Sequence, residues 1–255
     1  MHMPTVAGQF FRRRGPGGSY LAPCRCLSSI ICLQSRNSKN VSASLARENR
    51  VSRDFFEEKA GGYDRNTRRV QNVDNISGAI IRTIELQKAM RLMDFGSGTG
   101  LLLERIAPLV AKITAVDVSR SMNAQLAAKQ QRLGCELEIL EIDLETAEID
   151  RTFDGIVSSM TLHHIRDIDA LFRKFYRLLA PGGFIALADL DAEDGSFHTE
   201  DTGVHHHGFD RKALAGVAMS AGFRDVTVDS ASVVHKPHGD FPVFLLTAYR
   251  PGVAS

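Results

Sequence analysis

The sequence predicts an α/β fold, a doubly wound and mostly parallel sheet with helices on both faces. Three observations carry that prediction. Short apolar runs alternate with amphipathic stretches from about residue 92 to 249. A turn with glycines at alternate positions, Gly96, Gly98 and Gly100, joins the first run to the first amphipathic stretch. Asp94, Asp117, Asp143, Met160 and Asp189 fall at or near the ends of runs one to five. Alternation of strand and helix makes neighbouring strands parallel, with the crossovers covering both faces. Ligands in such sheets bind beyond the carboxyl ends of the strands, where those five residues lie.

The elements follow in order. Residues 48–70 carry Phe55, Phe56 and Tyr63 among charges and read as a helix followed by a break at Gly61-Gly62. Residues 73–87 read as a helix, with Ile76, Ile80 and Ile84 at i, i+4 and i+8. The first strand ends at Asp94. The helix after the glycine turn shows Leu102, Ile106, Leu109 and Val110 on one face. A second strand covers 113–117 and leads into a helix through about residue 132. The third strand, 137–142, ends at Asp143, and the fourth covers 155–160. Residues 168–179 form a strongly amphipathic helix that Pro181-Gly182-Gly183 terminates. The fifth strand is 184–189, and an irregular polar stretch runs from 190 to 208. A last helix has Asp210 as its cap and Gly222 at its end. Two strands near 226–229 and 243–249, joined by a Pro/Gly-rich connection, bring the total to seven.

Charge divides the chain. Seven of its 31 basic residues and none of its 30 acids lie in residues 1–47, so residues 48–255 carry 24 basic residues against 30 acids, a net charge of −6. That balance gives no basic surface for nucleic acid as an obligate partner. We therefore divide the chain into a basic leader, 1–47, without core-forming periodicity, and one domain, 48–255. An acid-free leader rich in Arg, Ser and Gly suits an organellar transit peptide. Behind that reading stand a disordered basic tail, a stretch absent from the mature protein, and a poor secretory signal interrupted by Arg25. The domain is accordingly expected in the cytoplasm or, if the leader targets it, in a mitochondrion or other organelle. No apolar run approaches the length of a membrane-spanning helix. Cys24, Cys26 and Cys32 lie in the leader and only Cys135 in the domain, so no disulfide within the domain is expected.

The glycine turn sets the ligand chemistry. Glycine permits positive φ and lets a ligand approach bare backbone. Asp94, two residues before the turn, would repel a pyrophosphate and suits a ligand that carries an ammonium group. The spacing G-x-G-x-G also departs from the dinucleotide pattern G-x-G-x-x-G. Asp117 lies 21 residues beyond Gly96. An acid there can accept the two hydroxyls of a ribose, a placement shared with dinucleotide folds.

Residues 88–190 resemble the seven-stranded, Rossmann-like S-adenosylmethionine-dependent methyltransferases. The likeness rests on Asp94-Phe-Gly-Ser-Gly-Thr-Gly100, Val116-Asp117-Val-Ser, Ile142-Asp143-Leu, Phe153-Asp-Gly-Ile-Val157 with Leu162-His-His164, and Leu178-Leu-Ala-Pro-Gly-Gly183. Ala221-Gly-Phe223 continues it. Within that family the chain looks loosely like the small-molecule enzymes of quinone biosynthesis. The resemblance implies an antiparallel last strand and S-adenosylmethionine as cofactor. It implies that Asp94 and the loop of Gly96, Ser97, Gly98 and Gly100 hold the methionyl part. Asp117 with Val118 would hold the ribose, Asp143 and Leu144 the adenine, Met122 its other face, and Met160 the site edge. Tyr63 matches the segment that covers the cofactor, where an aromatic face suits a sulfonium.

Candidates for the chemical step are His163 and His164, which follow the fourth strand, and Asp191 and His198 in the polar stretch. Either histidine could serve as base or orient an acceptor. The stretch 190–208 leaves the ligand edge of the sheet, is too polar for a core, and contains Gly195, Gly203 and Gly208, which suit a lid over the acceptor. It is assigned acceptor contact and no metal, because His205-His206-His207 cannot all face one ion. The expected activity is methyl transfer to a small-molecule acceptor. Two alternatives stay open: a methyltransferase-like binding or assembly subunit without turnover, and an NAD-dependent oxidoreductase. The acceptor, the methylated atom and the oligomeric state are not encoded in any motif.

Overall fold

The computed structural model describes Glu57, residues 59–200 and residues 202–252. The leader, 1–47, and most of the expected 48–70 helix before the glycine pair lie outside these residues. Seven strands form one sheet in the order β3-β2-β1-β4-β5-β7-β6. They are β1 (Arg91–Phe95), β2 (Lys112–Asp117), β3 (Glu136–Glu141), β4 (Phe153–Ser159), β5 (Leu179–Leu190), β6 (Arg224–Lys236) and β7 (Gly239–Tyr249). Strands β1 to β5 pair in parallel. Only β7 runs antiparallel to its neighbours β5 and β6, as expected of the last strand. Among the described residues, helices α1 (Thr67–Thr83), α2 (Leu101–Ile106), α3 (Arg120–Ala127), α4 (Ile168–Leu178) and α5 (Arg211–Ser220) accompany the sheet.

Strand periodicity sorts the core into two layers. Leu92, Ile113, Ala115, Val157 and Ala186 face Ile76 and Ile80 of α1 and Leu103 and Ile106 of α2. Met93, Val116, Ile156, Ile185 and Leu187 face Phe172 and Phe175 of α4 and Leu214 of α5. Phe172 and Phe175 are fully buried, and truncating either to alanine would cost about 3–5 kcal/mol. The chain builds outward from β1 to β3, then returns to place β4 on the other side of β1. The order therefore reverses beside β1, and a crevice opens at the carboxyl ends of β1 and β4.

Several element ends differ from the sequence reading. Helix α1 starts six residues early because the Asn66 side chain caps it, accepting the Arg69 N–H at 3.1 Å. Its polar first turn offers no apolar period, and at its other end Ile84 turns extended. Pro108 ends the glycine-turn helix in a short 3-10 turn, Ala107–Leu109. Helix α3 stops at Ala127 and is followed by another 3-10 turn, Gln130–Arg132. Strand β5 already begins at Leu179, paired with Phe153, and its register shifts before Gly155 meets Phe184. Pro181-Gly182-Gly183 thus lies within the strand. The expected connection before 243 is instead one long hairpin of β6 and β7. Strand β6 is an edge with mostly polar, partly exposed side chains, so it lacks the apolar alternation by which strands are read. No described helix is long and apolar enough to cross a membrane.

Candidate active site

The glycine turn is fastened to β2 before any side chain contributes. The Gly96 and Ser97 N–H groups both donate to the Val116 carbonyl, at 2.8 and 3.2 Å. The Gly98 N–H donates to Asp117 Oδ2 at 2.8 Å, and Ser119 N–H donates to Asp117 Oδ1 at 2.8 Å. Gly96 has φ +69°, and a Cβ on it would lie 2.1 Å from Thr161 Oγ1. Thr161 follows β4, so this glycine lets β1 and β4 close on the crevice. Gly96→Ala combines that clash with a left-handed backbone, and should lower stability by about 2 kcal/mol or more. Gly96→Ala with Thr161→Ala should recover part of the loss in a denaturant melt. Equal stability of the single and double variants would show that Thr161 is not the obstacle.

Two cavities meet at this turn. The larger, of about 560 Å³, is lined by Tyr63, Asp94, Gly96, Ser97, Gly98, Met160, His163, His164 and His198 among others. The smaller, of about 140 Å³, is lined by Tyr63, Gly96, Gly98, Asp117, Val118, Met122, Asp143, Leu144, Met160 and His164. Fourteen of the sixteen sequence-selected residues thus line one cavity or both. The smaller cavity has apolar walls in Met122, Leu144 and Ile165 and an acid at Asp143, whose Oδ1 accepts the Glu145 N–H at 2.9 Å. Such a slot fits a flat, nitrogen-rich ring. Met160, where the cavities join, is a non-glycine residue at φ 58°, a backbone state that costs about 1–2 kcal/mol.

The two exceptions are corrections. Gly100 lines neither cavity. It is the left-handed N-cap of α2 at φ +83°, and a Cβ there would lie 2.5 Å from Leu126 Cδ1, so it serves packing against α3. Asp191 also lines neither cavity. Its two oxygens accept Arg211 Nε and Nη2 at 2.6 and 2.8 Å. The pair ties the start of the polar stretch to α5. Asp191→Ala should therefore cost about 1 kcal/mol of stability, the upper range for a partly exposed bidentate pair. It should leave ligand affinity unchanged. A loss of affinity without a loss of stability would return Asp191 to the site.

Electrostatics sharpen the picture. Asp94 is 1 % exposed, and its Oδ2 has no hydrogen-bond partner among the described residues. Burial first, and the nearby Asp117 second, push its pKa up to about 7. The Asp117 pKa is also raised by burial, against the opposing pull of its backbone donors. A carboxylate has more lone pairs than these backbone donors use, which leaves room for hydroxyl donors. Two desolvated acids side by side form a receptacle for positive charge and for O–H donors.

The histidines arrive from two elements. Residues Leu162–His164 form a 3-10 turn after β4. His163 Nδ1 lies 2.7 Å from Asp189 Oδ1, and the Asp189 carboxylate also accepts the His163 and Leu190 N–H groups. Asp189 ends β5 and is fully buried. The His163 ring centroid lies 4.4 Å from that of His164 and 5.2 Å from that of His198. Burial lowers the pKa of His164, and brings that of His198 down to about 4, so both rings are neutral near pH 7. His198 Nδ1 pairs with Thr202 Oγ1 at 3.1 Å.

The polar stretch is closed at its base and open over the site. Ala192 N–H donates to the Phe209 carbonyl and Glu193 N–H to the His207 carbonyl, at 3.0 and 2.9 Å. Beyond that base, Phe197, His198, Thr199, Glu200 and Thr202 wall the larger cavity, while Gly203 and His205 wall the smaller.

Other site residues escaped the sequence reading. Asp64 accepts Thr99 Oγ1 at 2.5 Å and Lys129 Nζ at 2.6 Å, pinning the Ala60–Arg65 turn to the glycine loop and to the end of α3. Arg69 lays its guanidinium 3.6 Å from the Tyr63 ring centroid, covering one face of that ring. Glu57 accepts the Ser119 hydroxyl and the Ser121 N–H at the start of α3. The alignment of acids at strand ends singled out Asp189, but no local pattern paired it with His163.

Residues 63–228 match the family model of a methyltransferase domain. An uncharacterized methyltransferase of Schizosaccharomyces pombe is 28% identical over 167 residues, 59% of this chain and 57% of that protein. A ubiquinone biosynthesis O-methyltransferase of Xanthomonas oryzae pv. oryzae is 30% identical over 118 residues, 46% of this chain and 49% of that protein. The chain thus spans about half the length of these curated relatives. Among solved structures, a DhpI–SAH complex superposes with a TM-score of 0.61 at 22% identity, covering 80% of this chain and 97% of that one. At that identity the likeness concerns the fold.

Proposed function

The chain belongs to the methyltransferase-domain family, and from that premise we propose that it transfers a methyl group from S-adenosylmethionine to a small-molecule acceptor. The observation that carries this reading is Asp94: a buried carboxylate with an unpartnered oxygen, in the larger cavity at the head of a glycine turn. A buried charge without a partner is costly, and the ammonium of a methionyl group supplies one. Ser97, whose buried hydroxyl is also without a partner among the described residues, lines the same cavity. Asp117 would accept the ribose hydroxyls, and the slot between Met122 and Leu144 would take the adenine.

When bound, S-adenosylmethionine supplies a methyl carbon activated by the adjacent sulfonium. The chain's own residues then need to orient the acceptor, exclude water and take up its proton. With its Nδ1–H donated to Asp189, the His163 ring, which lines the larger cavity, would keep Nε2 as an acceptor. We assign His163 Nε2 the role of base toward an acceptor O–H or N–H, and His164 and His198 the orientation of that acceptor. Phe197 and Tyr63 shield the site from water.

Calorimetry tests the reading. The protein should bind S-adenosylmethionine and S-adenosylhomocysteine, and NAD far more weakly. NAD binding tighter than both would favour an oxidoreductase instead. Incubation with labelled S-adenosylmethionine and a small-molecule extract should yield a labelled product. Tight cofactor binding without transfer to any extract would favour a binding subunit. Residues 1–47 we read as a targeting leader, and fusion to a reporter checks it: a uniformly cytosolic reporter would end that reading.

A further inference from the structure

We propose that the acceptor is an anion, a small molecule bearing a carboxylate or phosphate, and that Arg68, Arg69 and Lys236 hold its charged group in the larger cavity. The inference rests on the methyltransferase reading of that cavity and names the class of its second substrate.

Four cationic side chains line the cavity: Lys59, Arg68, Arg69 and Lys236. Two acids oppose them there. Glu200 pairs with Lys59 at 2.5 Å, and Asp94 sits at the glycine turn. Arg68, Arg69 and Lys236 form no ion pair among the described residues, although they come from two separate elements, α1 and β6. Lys236 is partly buried, with Nζ 3.6 Å from the Phe197 ring centroid and donating to the Phe197 carbonyl. Its pKa is lowered by burial first; the attraction of Glu193 comes next and opposes that shift, and the positive charges of Arg68 and Arg69 lower it further. Glu193 is not part of the cavity wall, and its Oε2 is engaged by the Gly195 and Phe197 N–H groups. Three like charges converging on one cavity repel each other, and an anion relieves the repulsion.

The position suits an acceptor. Lys236 touches Phe197, the Phe197 ring centroid lies 4.8 Å from that of His198, and His198 lies 5.2 Å from His163. An anion held at Lys236 thus has an aromatic wall leading from its charged group to the proposed base. Arg69 lies over Tyr63, which borders both cavities, so the same cation links the anion site to the turn that covers the cofactor. The cofactor's own carboxylate is an alternative partner for these cations, and the experiment separates the two.

The test is calorimetric titration of the full chain with benzoate, with inorganic phosphate and with neutral benzamide, each with and without saturating S-adenosylhomocysteine. Benzoate or phosphate should bind in both conditions and benzamide should not; the better of the two identifies the charged group. Arg68→Gln, an exposed position that leaves the fold intact, and Lys236→Gln should each weaken anion binding by roughly tenfold, the loss of a charge-assisted contact. Both should leave S-adenosylhomocysteine affinity within about twofold of wild type. Equal binding of benzamide, unchanged anion affinity in both variants, or competition of the anions with S-adenosylhomocysteine would overturn the proposal. Failure of S-adenosylhomocysteine to bind would instead overturn the methyltransferase reading, and the anion titrations without it would still decide the site.

Discussion

Asp94→Asn should raise the melting temperature of the ligand-free protein at pH 8 and remove its thermal response to S-adenosylhomocysteine. The reason lies in the cost of an isolated buried charge. In the unfolded chain Asp94 titrates near 3.8, and in the fold near 7, because burial and Asp117 both oppose ionisation. The folded state therefore holds a proton that the unfolded state has released between these values. Stability contributed by the protonated carboxyl is fully present below about pH 4 and is lost as pH rises through about 7. A shift of this size corresponds to about 4 kcal/mol. One kcal/mol moves the melting point of a domain this large by about 2–4 °C. Asparagine keeps the shape, carries no charge and avoids that loss, so the gain at pH 8 should be on the order of 10 °C and should vanish near pH 4. Wild type should recover the difference when S-adenosylhomocysteine is added, because the ligand ammonium neutralises the carboxylate. Thermal melts across pH 4–8, with and without ligand, read both effects. Identical pH dependence of the two proteins would show that Asp94 is not a strained carboxylate. Retained ligand response in the variant would remove it from the methionyl site.

What the sequence made legible was what chemistry keeps contiguous. Asp94 and the glycine turn lie within seven residues, and their β-α-β setting follows from local apolar periods. Asp117, Asp143 and Asp189 could be placed on one edge of the sheet because parallel strands all end there. Contacts made by topology had no such signature. His163 and Asp189 are 26 residues apart and meet because β4 and β5 are neighbours. Asp64 and Lys129 are 65 apart. Lys236 lies 39 residues from Phe197, on an edge strand whose polar alternation hid it from a reading based on hydrophobic pattern. Asp191 shows the converse. Its position after β5 made it a candidate, but an arginine 20 residues away takes up both of its oxygens. Membership of the glycine loop had made Gly100 look like a ligand contact, whereas its bare Cα is needed for Leu126.

The His163–Asp189 pair should carry the largest effect on turnover. His163→Ala removes the proposed base and should reduce methyl transfer by about 10²–10⁴-fold, the range for general-base catalysis. S-adenosylhomocysteine affinity should stay close to wild type, since His163 is assigned to the acceptor. Asp189→Asn is the more discriminating change. The aspartate fixes the tautomer with the proton on Nδ1, and an asparagine can turn its own N–H toward that nitrogen, moving the proton to Nε2 and disabling the base. It should thus lower kcat nearly as far as the alanine variant, with a smaller change in KM. A purely structural role for the pair predicts something else: Asp189→Asn, burying an amide in place of a fully enclosed carboxylate, would lower the melting temperature and kcat would follow the folded fraction. Measuring kcat, KM and the melt together on the labelled product separates the two. Wild-type kcat in a folded Asp189→Asn protein would mean that His163 only shapes the cavity and that the acceptor gives up its proton elsewhere.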